Sequence, residues 1–365
     1  MQDAKFRWRK LTTIQYPIIG PQSSVSPNTQ NIELKNFEQV GTIARLFIRF
    51  VGNIIVAGAG PAGTPTGRDN PEGLLILCQL KTTPDLGVNV VNNMSARGLL
   101  RQAMYERGYL IKAASVPDVA GTTPVDYSFE INFRNPLSVK PVEYSLPMAL
   151  FSSAQLQLTF GGREELFSGG LPNTWDLSGL SIQIWADMDL GIAGTFHMTC
   201  LDERSFPAIT ASQSDFQLTN IPPGYVYTSM LLRGETNLAL DNSILQDWTI
   251  QGGGRIWTPQ GDLNATMIQR WNRETNLTDP AVVQTGLYFI NALRDGMITN
   301  AIDSLDSQLD VKANVVATGG TSQFLTLVSK RSIPNALSLA GVVAAGATTT
   351  TGTAAAGSAA SPAKQ

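Results

Sequence analysis

The sequence predicts an all-β fold made of two consecutive antiparallel units of sandwich or jelly-roll type. Three observations predict it. Apolar residues alternate with period two through much of the chain, helical periodicity is confined to a few short stretches, and the order of elements runs through twice. Many short strands separated by Gly, Pro and Asn turns indicate a sandwich or jelly roll, because βαβ units need a long helix between strands.

Composition agrees. A chain of 365 residues is one large domain or two ordinary ones, and 43% hydrophobic residues permit a sizeable core. Charged residues make up 15%, against about 25% in a typical soluble domain. Ser, Thr, Asn, Gln and Gly must therefore cover much of the surface, as in large β-proteins and assembly subunits. The 26 basic and 29 acidic residues leave a net charge of -3, which excludes a strongly basic nucleic-acid binder. One histidine (His197) and two cysteines (Cys78 and Cys200) exclude most metal and disulfide frameworks. No apolar run reaches the ~18 residues of a membrane-spanning helix. The opening MQDAKFRWRKLTTIQYPIIG has no apolar stretch leading to a small-residue cleavage site, so no secretory signal is expected.

In order along the chain, the first ten residues carry Lys5, Arg7, Arg9 and Lys10 against Asp3, with Phe6 and Trp8 interleaved. Such a segment suits an anionic membrane surface, each cation contributing about 1 kcal/mol. It suits equally a solvated terminus packed on a neighbour. RLFIRF (45–50) aligns Leu46, Ile48 and Phe50 on one face. LLILCQL (74–80) is a further strand, and SARGLLRQAMYER (95–107) the first helix. VDYSFEINFR (125–134) is the clearest alternation: Val125, Tyr127, Phe129, Ile131 and Phe133 face one way and the polar residues the other. AQLQLTF places Leu156, Leu158 and Phe160 together, and LSIQIWADM does so with Ile182, Ile184, Ala186 and Met188. LDERSFPAITASQS (201–214) reads as the connector between the passes, which span roughly 28–195 and 212–332.

The second pass holds strands at YVYTSMLLR (225–233), GLYFI (286–290) and QFLTLV (323–328). DLNATMIQRWNRE (262–274) predicts a helix with Leu263, Met267, Ile268 and Trp271 on one face and Asp262 as cap. LDNSILQDW (240–248) is a weaker third helix. After Arg331 the one charged residue is Lys364, and TTTTGTAAAGSAASPA lacks the large apolar groups that offset ordering entropy.

The motifs that suggest chemistry are incomplete. NIIVAGAGPAG (53–63) reproduces G-x-G-x-x-G at Gly58, Gly60 and Gly63, but TPTGRDNPEG follows, with prolines at 65 and 71. A dinucleotide site needs a helix to begin at that turn, so a Gly-rich loop between antiparallel strands is the better reading. Near the expected ribose-binding position stands Asp85, without the helix that gives it meaning. GGGR (252–255) has no Lys-Ser/Thr pair to complete a phosphate loop. His197 sits in the strand-like GTFHMTC with Cys200 on the opposite face, which makes a Cys-His dyad sterically poor. Glu164 with Glu165, and Asp187 with Asp189, are the carboxylate pairs a glycosidase would need, and adjacent acids usually form a solvated rim. No catalytic, cofactor-binding or metal-binding residue is assigned, and no cofactor is expected.

DYSFEINFRNPLSVKPVEYSLPMALFSSAQLQLTFGG (126–162) and LSIQIWADMDLG (180–191), followed by YVYTSMLLR, DLNATMIQRWNRE and TGLYFINALRDGMITNAIDSL (285–305), succeed one another in an order that resembles the double jelly-roll major capsid proteins of tailless, internal-membrane bacteriophages of the tectivirus type. The resemblance covers about residues 1–335 and lies in the order of features. It implies two eight-stranded jelly rolls, at 28–200 and 201–334, between an arm at 1–27 and an Ala/Thr/Gly-rich tail at 335–365. It further implies a non-enzymatic protein of the virion, assembled in the host cytoplasm, whose pseudo-hexameric homotrimers tile an icosahedral shell. Its partners are then itself, neighbouring trimers, other capsid and vertex proteins and the internal membrane, with no specific nucleic acid. The membrane-facing arm falls on Phe6, Arg7, Trp8, Arg9 and Lys10. A carbohydrate-binding or cell-surface β-sandwich, with Trp175, Trp185, Trp248 and Trp257 as a sugar platform, is the competing reading, and a flavin or nicotinamide enzyme built on GAGPAG a remoter one.

Overall fold

The computed structural model describes residues 5–15, 29–34, 42–59, 64–68, 71–84, 90–110, 115–148, 151–170, 172–190, 197–219, 221–252, 255–258, 265–279, 281–293, 296, 298, 301–319 and 322–334. The first half runs β1 (Lys5–Gln15), β2 (Thr29–Glu33), β3 (Thr42–Ala59), β4 (Pro65–Gly67), β5 (Leu75–Pro84), β6 (Val90–Met94), α1 (Ala96–Arg107), β7 (Gly121–Asn132), β8 (Leu146–Pro147), β9 (Phe151–Phe160), α2 (Arg163–Leu166), β10 (Phe167–Gly169), β11 (Pro172–Asp176) and β12 (Leu180–Leu190). The second half runs β13 (Met198–Ser205), β14 (Gln213–Gln217), β15 (Val226–Thr236), β16 (Ala239–Leu240), β17 (Leu245–Gly252), β18 (Arg255–Thr258), α3 (Ala265–Thr275), β19 (Leu287–Asn291), β20 (Ile302–Asp303), β21 (Asp310–Val315) and β22 (Gln323–Ile333). The chain is all-β, as its alternation predicts.

Among the described residues, three large sheets, besides the two-stranded pairing of β4 with β10, enclose two main cores. In the first, the 18-residue β3 pairs β12 and β11 along one edge and β7 and β8 along the other, with β1 outside β12. The predicted faces turn inward: Leu46, Ile48 and Phe50 of β3, Tyr127, Phe129 and Ile131 of β7, and Ile182, Ile184 and Ala186 of β12 are all buried. Phe50 meets Phe129 edge-on at 5.9 Å within this sheet and Phe160 at 6.2 Å across the core, so the two facing layers interlock through one ring.

The second sheet is continuous through both halves. Its order is β16-β15-β22-β13-β6-β5-β9-β2, with β19 and β20 also on β15. Each step along it is antiparallel except β6 to β13, a short parallel pairing of Asn92 and Asn93 with Leu201 and Asp202. The third sheet, β14-β21-β17-β18, covers the second core, in which Trp248 is fully buried.

The two cores share a wall. On β15, Leu231 belongs to the first core while Met230 and Leu232 belong to the second; on β19, Leu287 and Phe289 alternate with Tyr288 and Ile290 in the same way. A strand buried on both faces loses its alternation and reads as a continuous apolar run. That is why YVYTSMLLR showed no period of two.

Three expectations need correcting. LDERSFPAITASQS is not simply a connector, because its first residues complete β13, the strand that joins the halves. LDNSILQDW is not a helix: it holds the end of β16, a turn in which Asp241 accepts from Ser243, and the start of β17. In α3 the buried side chains are Ala265, Ile268 and Asn272, whereas Met267 is half exposed; Asp262 and Leu263 lie outside the described residues.

Helix α1 is the first half's contribution to the seam. Ser95 caps it, its hydroxyl accepting from the Gly98 N–H at 3.0 Å, and Gly108 ends it in the left-handed region at φ 82. Both ends are tied to the second half. Glu203 of β13 accepts from the Ser95 N–H at 2.6 Å, placing a carboxylate at the helix N-terminus, and the Gly108 carbonyl accepts from the Thr278 N–H at 2.8 Å. A Cβ at Gly98 would lie 2.3 Å from Glu203 Oε2. Glycine to alanine inside a helix ordinarily stabilises by about 1 kcal/mol. Here Gly98→Ala displaces a carboxylate that holds the cap, so we expect a net loss on the order of 1 kcal/mol, read as a lowered denaturation midpoint.

Candidate functional site

The seam between the halves and the outer faces of the sheets concentrate the polar chemistry of this chain. At the seam, Glu106 of α1 and Lys330 of β22 form an ion pair at 2.5 Å with both side chains about 1% exposed. The pair is fully partnered. Glu106 also accepts from Gln102 at 3.0 Å and from Asn132 at 3.0 Å, and Lys330 donates to the Arg134 carbonyl at 2.6 Å. Gln102 donates in addition to Ser229 of β15 at 2.9 Å, and Tyr105 stacks on Phe289 at 4.6 Å between centroids. With Glu203 of β13 at its N-terminus, one helix therefore reaches β13, β15, β19 and β22 of the other half.

On β13, Asp202 accepts from Arg204 at 2.5 Å and from Asn93 of β6 at 3.1 Å, and lies 3.9 Å from Arg331, whose guanidinium sits 4.1 Å over the Tyr225 ring. Burial and hydrogen bonding hold the Asp202 carboxylate among these partners.

The outer face of the first sheet is different in kind. Phe47, Arg49, Asp126, Ser128 and Trp185 line a shallow groove of about 620 Å³. Arg49 and Asp126 form a two-bonded pair at 2.8 and 2.6 Å, and the bond from Arg49 holds the Asp126 carboxyl below the usual range. Such an exposed pair contributes about 0–1 kcal/mol. Half-buried aromatics beside a matched ion pair are the composition of a protein contact face.

The residues singled out by sequence fall as follows. Phe6, Arg7, Trp8, Arg9 and Lys10 lie in β1, their backbone paired with Asp189, Met188, Asp187, Ala186 and Trp185 of β12; their side chains lie outside the described residues. Residues 5–15 are thus an edge strand of the first sheet. Gly58 sits within β3, Gly60 and Gly63 lie outside the described residues, and the element after them is β4, not a helix. Asp85 and Gly253 are likewise outside them. Trp175 and Trp248 are buried in the cores, so they cannot form a sugar platform; Trp185 lines the groove, and the side chain of Trp257 is outside the described residues.

Asp187 accepts twice from Arg45, at 3.0 and 2.8 Å, and Asp189 accepts from Arg134. These carboxylates hold ion pairs within the sheet. His197 is half-buried against Tyr144 at 5.2 Å, and burial holds its imidazole below the ordinary 6.5, opposed by Glu143. Cys78 and Cys200 are buried, and burial pushes the Cys200 thiol up to about 12.

No protein-family model matches the sequence, and no curated protein matches it. Solved structures do. The crystal structure of the STIV MCP aligns over 91% of this chain and 98% of its own, at 12% identity and a TM-score of 0.63. The major capsid protein P2 of bacteriophage PM2 aligns over 90% and 97%, at 11% identity and 0.57. The Faustovirus major capsid protein aligns over 90% and 89%, at 8% identity and 0.54. The fold is the double jelly roll of viral major capsid proteins. In a double jelly roll the residues missed by sequence reading, Glu106, Gln102 and Lys330, sit where the rolls meet. Their signal was present: Gln102 and Glu106 lie one helical turn apart on an otherwise apolar face, and Lys330 follows an apolar run.

Two outcomes are expected. Lys330→Met leaves Glu106 buried without its cation and lowers stability by about 3–5 kcal/mol in chemical denaturation, while adding Glu106→Leu restores most of the loss. Neither cysteine of the native chain reacts with a thiol reagent at pH 8, and both react after unfolding.

Proposed function

We propose that this chain is a viral major capsid protein whose two jelly rolls, divided near residues 200 and 201, form one rigid block of a homotrimer, with trimers tiling an icosahedral shell over an internal membrane. The observation that carries the reading is whole-chain agreement with capsid subunits: 90–91% of this chain and 97–98% of two neighbours' own lengths superpose, two rolls on two rolls. A shell subunit acts through surfaces, not through a reaction. Low charge, a near-neutral balance and a groove lined by Phe47 and Trp185 suit lateral contact with copies of itself. The continuous ten-stranded sheet supports a stiff unit.

On this reading the basic, aromatic β1 gives the membrane side through Phe6, Arg7, Trp8, Arg9 and Lys10. The virion is the place of action and the host cytoplasm the place of assembly. Other capsid and vertex proteins complete the shell.

Light scattering after size exclusion tests the assembly state: a stable species of three times the 39.2 kDa chain mass is expected. A clean monomer at all concentrations overturns the trimer. For the membrane side, deleting residues 1–12 would strip most of β1 from β12, so charge removal is the better probe. Arg7→Gln, Arg9→Gln and Lys10→Gln together should leave the trimer intact and reduce its co-sedimentation with anionic vesicles; unchanged binding by the triple variant would remove β1 from that role.

A further inference from the structure

A second polar feature belongs to the seam and is not used by α1's buried pair. Beneath the β15–β16 turn lies a pocket of about 440 Å³ with walls from both rolls. Arg68 and Ser168 of the first roll, Glu72 of the short turn before β5, Arg97 and Arg101 of α1, and Leu238–Leu240 of the second roll line it. The turn that roofs it is held in a demanding conformation, with Asn237 at φ 52 and Leu238 at φ 65.

Three guanidiniums face one carboxylate across this pocket. Glu72 is already shared, 2.5 Å from Arg101 and 3.4 Å from Arg97. Arg97 also reaches Glu235 at 3.2 Å, and that carboxylate lies 3.5 Å from Arg233. Nothing remains for Arg68. Among the described residues its guanidinium makes no ion pair, and its Nε, like that of Arg101, is buried without an acceptor. Burial and the like charge of Arg97 oppose its protonated form, and Glu165, Glu72 and Glu235 favour it without forming an ion pair to it among the described residues. The Arg68 Nε is thus buried without an acceptor, while the rest of the half-buried side chain lines the pocket.

We propose that this pocket binds a small oxyanion, held by the fork of Arg68 with Arg101 and Arg97 alongside, so that the ligand ties the two rolls together. A guanidinium presents two parallel N–H groups that match the oxygens of a phosphate or a carboxylate. The pocket is roomy enough for either. The source is then a free or esterified phosphate, or an acidic side chain offered by another chain. The inference stands on one chain's own residues and does not depend on the capsid reading.

The test is thermal unfolding of the full chain, as purified, in sodium phosphate and separately in sodium acetate, each against sodium chloride at matched ionic strength. At about a hundredfold excess over its dissociation constant, the bound anion should raise Tm by about 3 °C. Arg68→Met should abolish that gain. Because Arg68 forms no ion pair among the described residues, and the repulsion from Arg97 offsets the longer-range attraction of Glu165, Glu72 and Glu235, the variant should melt close to the wild type in chloride. Arg68→Lys, which keeps charge without the fork, should retain only a fraction of the response. A gain with phosphate assigns the site to phosphate groups, and a gain with acetate alone assigns it to a carboxylate. An equal gain in Arg68→Met, or no gain with either anion, overturns the proposal.

Discussion

Glu106 and Lys330 meet where the two rolls meet, and the geometry of the whole subunit depends on that contact. A buried carboxylate and ammonium gain little net stability over a well-packed apolar pair, but they tolerate no displacement, since either charge alone in the interior is costly. The pair is reinforced by Gln102, Asn132 and the Arg134 carbonyl, so each partner is held in one position. Around it, α1 is tied at its N-terminus by Glu203 and at its C-terminus by Thr278, both from the second roll. The helix therefore fixes how one roll sits against the other, and the continuous sheet carries that relation outward from β13 to both edges.

The shared wall follows from the same constraint. Because α1 covers one face of β15, β19 and β22 while the second core covers the other, these strands are apolar on both sides. Elsewhere each sheet has one core-facing side, and the outer side is free to carry Phe47, Trp185 and the Arg49–Asp126 pair. Buried, fully partnered charge at the seam and exposed polar and aromatic side chains on the outer face are thus separated in space.

This division also explains what was readable beforehand. Val125 to Phe133, Leu46 to Phe50 and Ile182 to Met188 declared themselves because one side of each strand is wet or ion-paired and the other dry. The all-β class and the two passes rest on those strands. Glu130 keeps to the polar face of β7 yet is buried, because Arg45 and Arg107 pair with it there. The seam was less legible. A lysine in a strand reads as solvent-facing, and only long-range topology, with Lys330 lying 224 positions from Glu106, brings its partner to it. β13 was obscured by the polar run Asp202, Glu203 and Arg204, whose side chains find partners on β6, on α1 and on its own strand. Gly98 carried no pattern at all; its meaning lies in a carboxylate from β13.

The position of β22 at the far end of the described chain has a consequence for how the protein is made. Leu231, Phe289 and Val328 are part of the first roll's core, and Lys330 neutralises Glu106, yet all four are translated after that roll's own strands. A nascent first roll leaves the ribosome with α1 open to water along one side and a carboxylate facing it. Its completion waits for the last strand, which must enter between β13 and β15 rather than join a free edge. A polypeptide truncated before β22 lacks the strand that joins β13 to β15 and the cation opposite Glu106, so neither roll can close without its last-made strand.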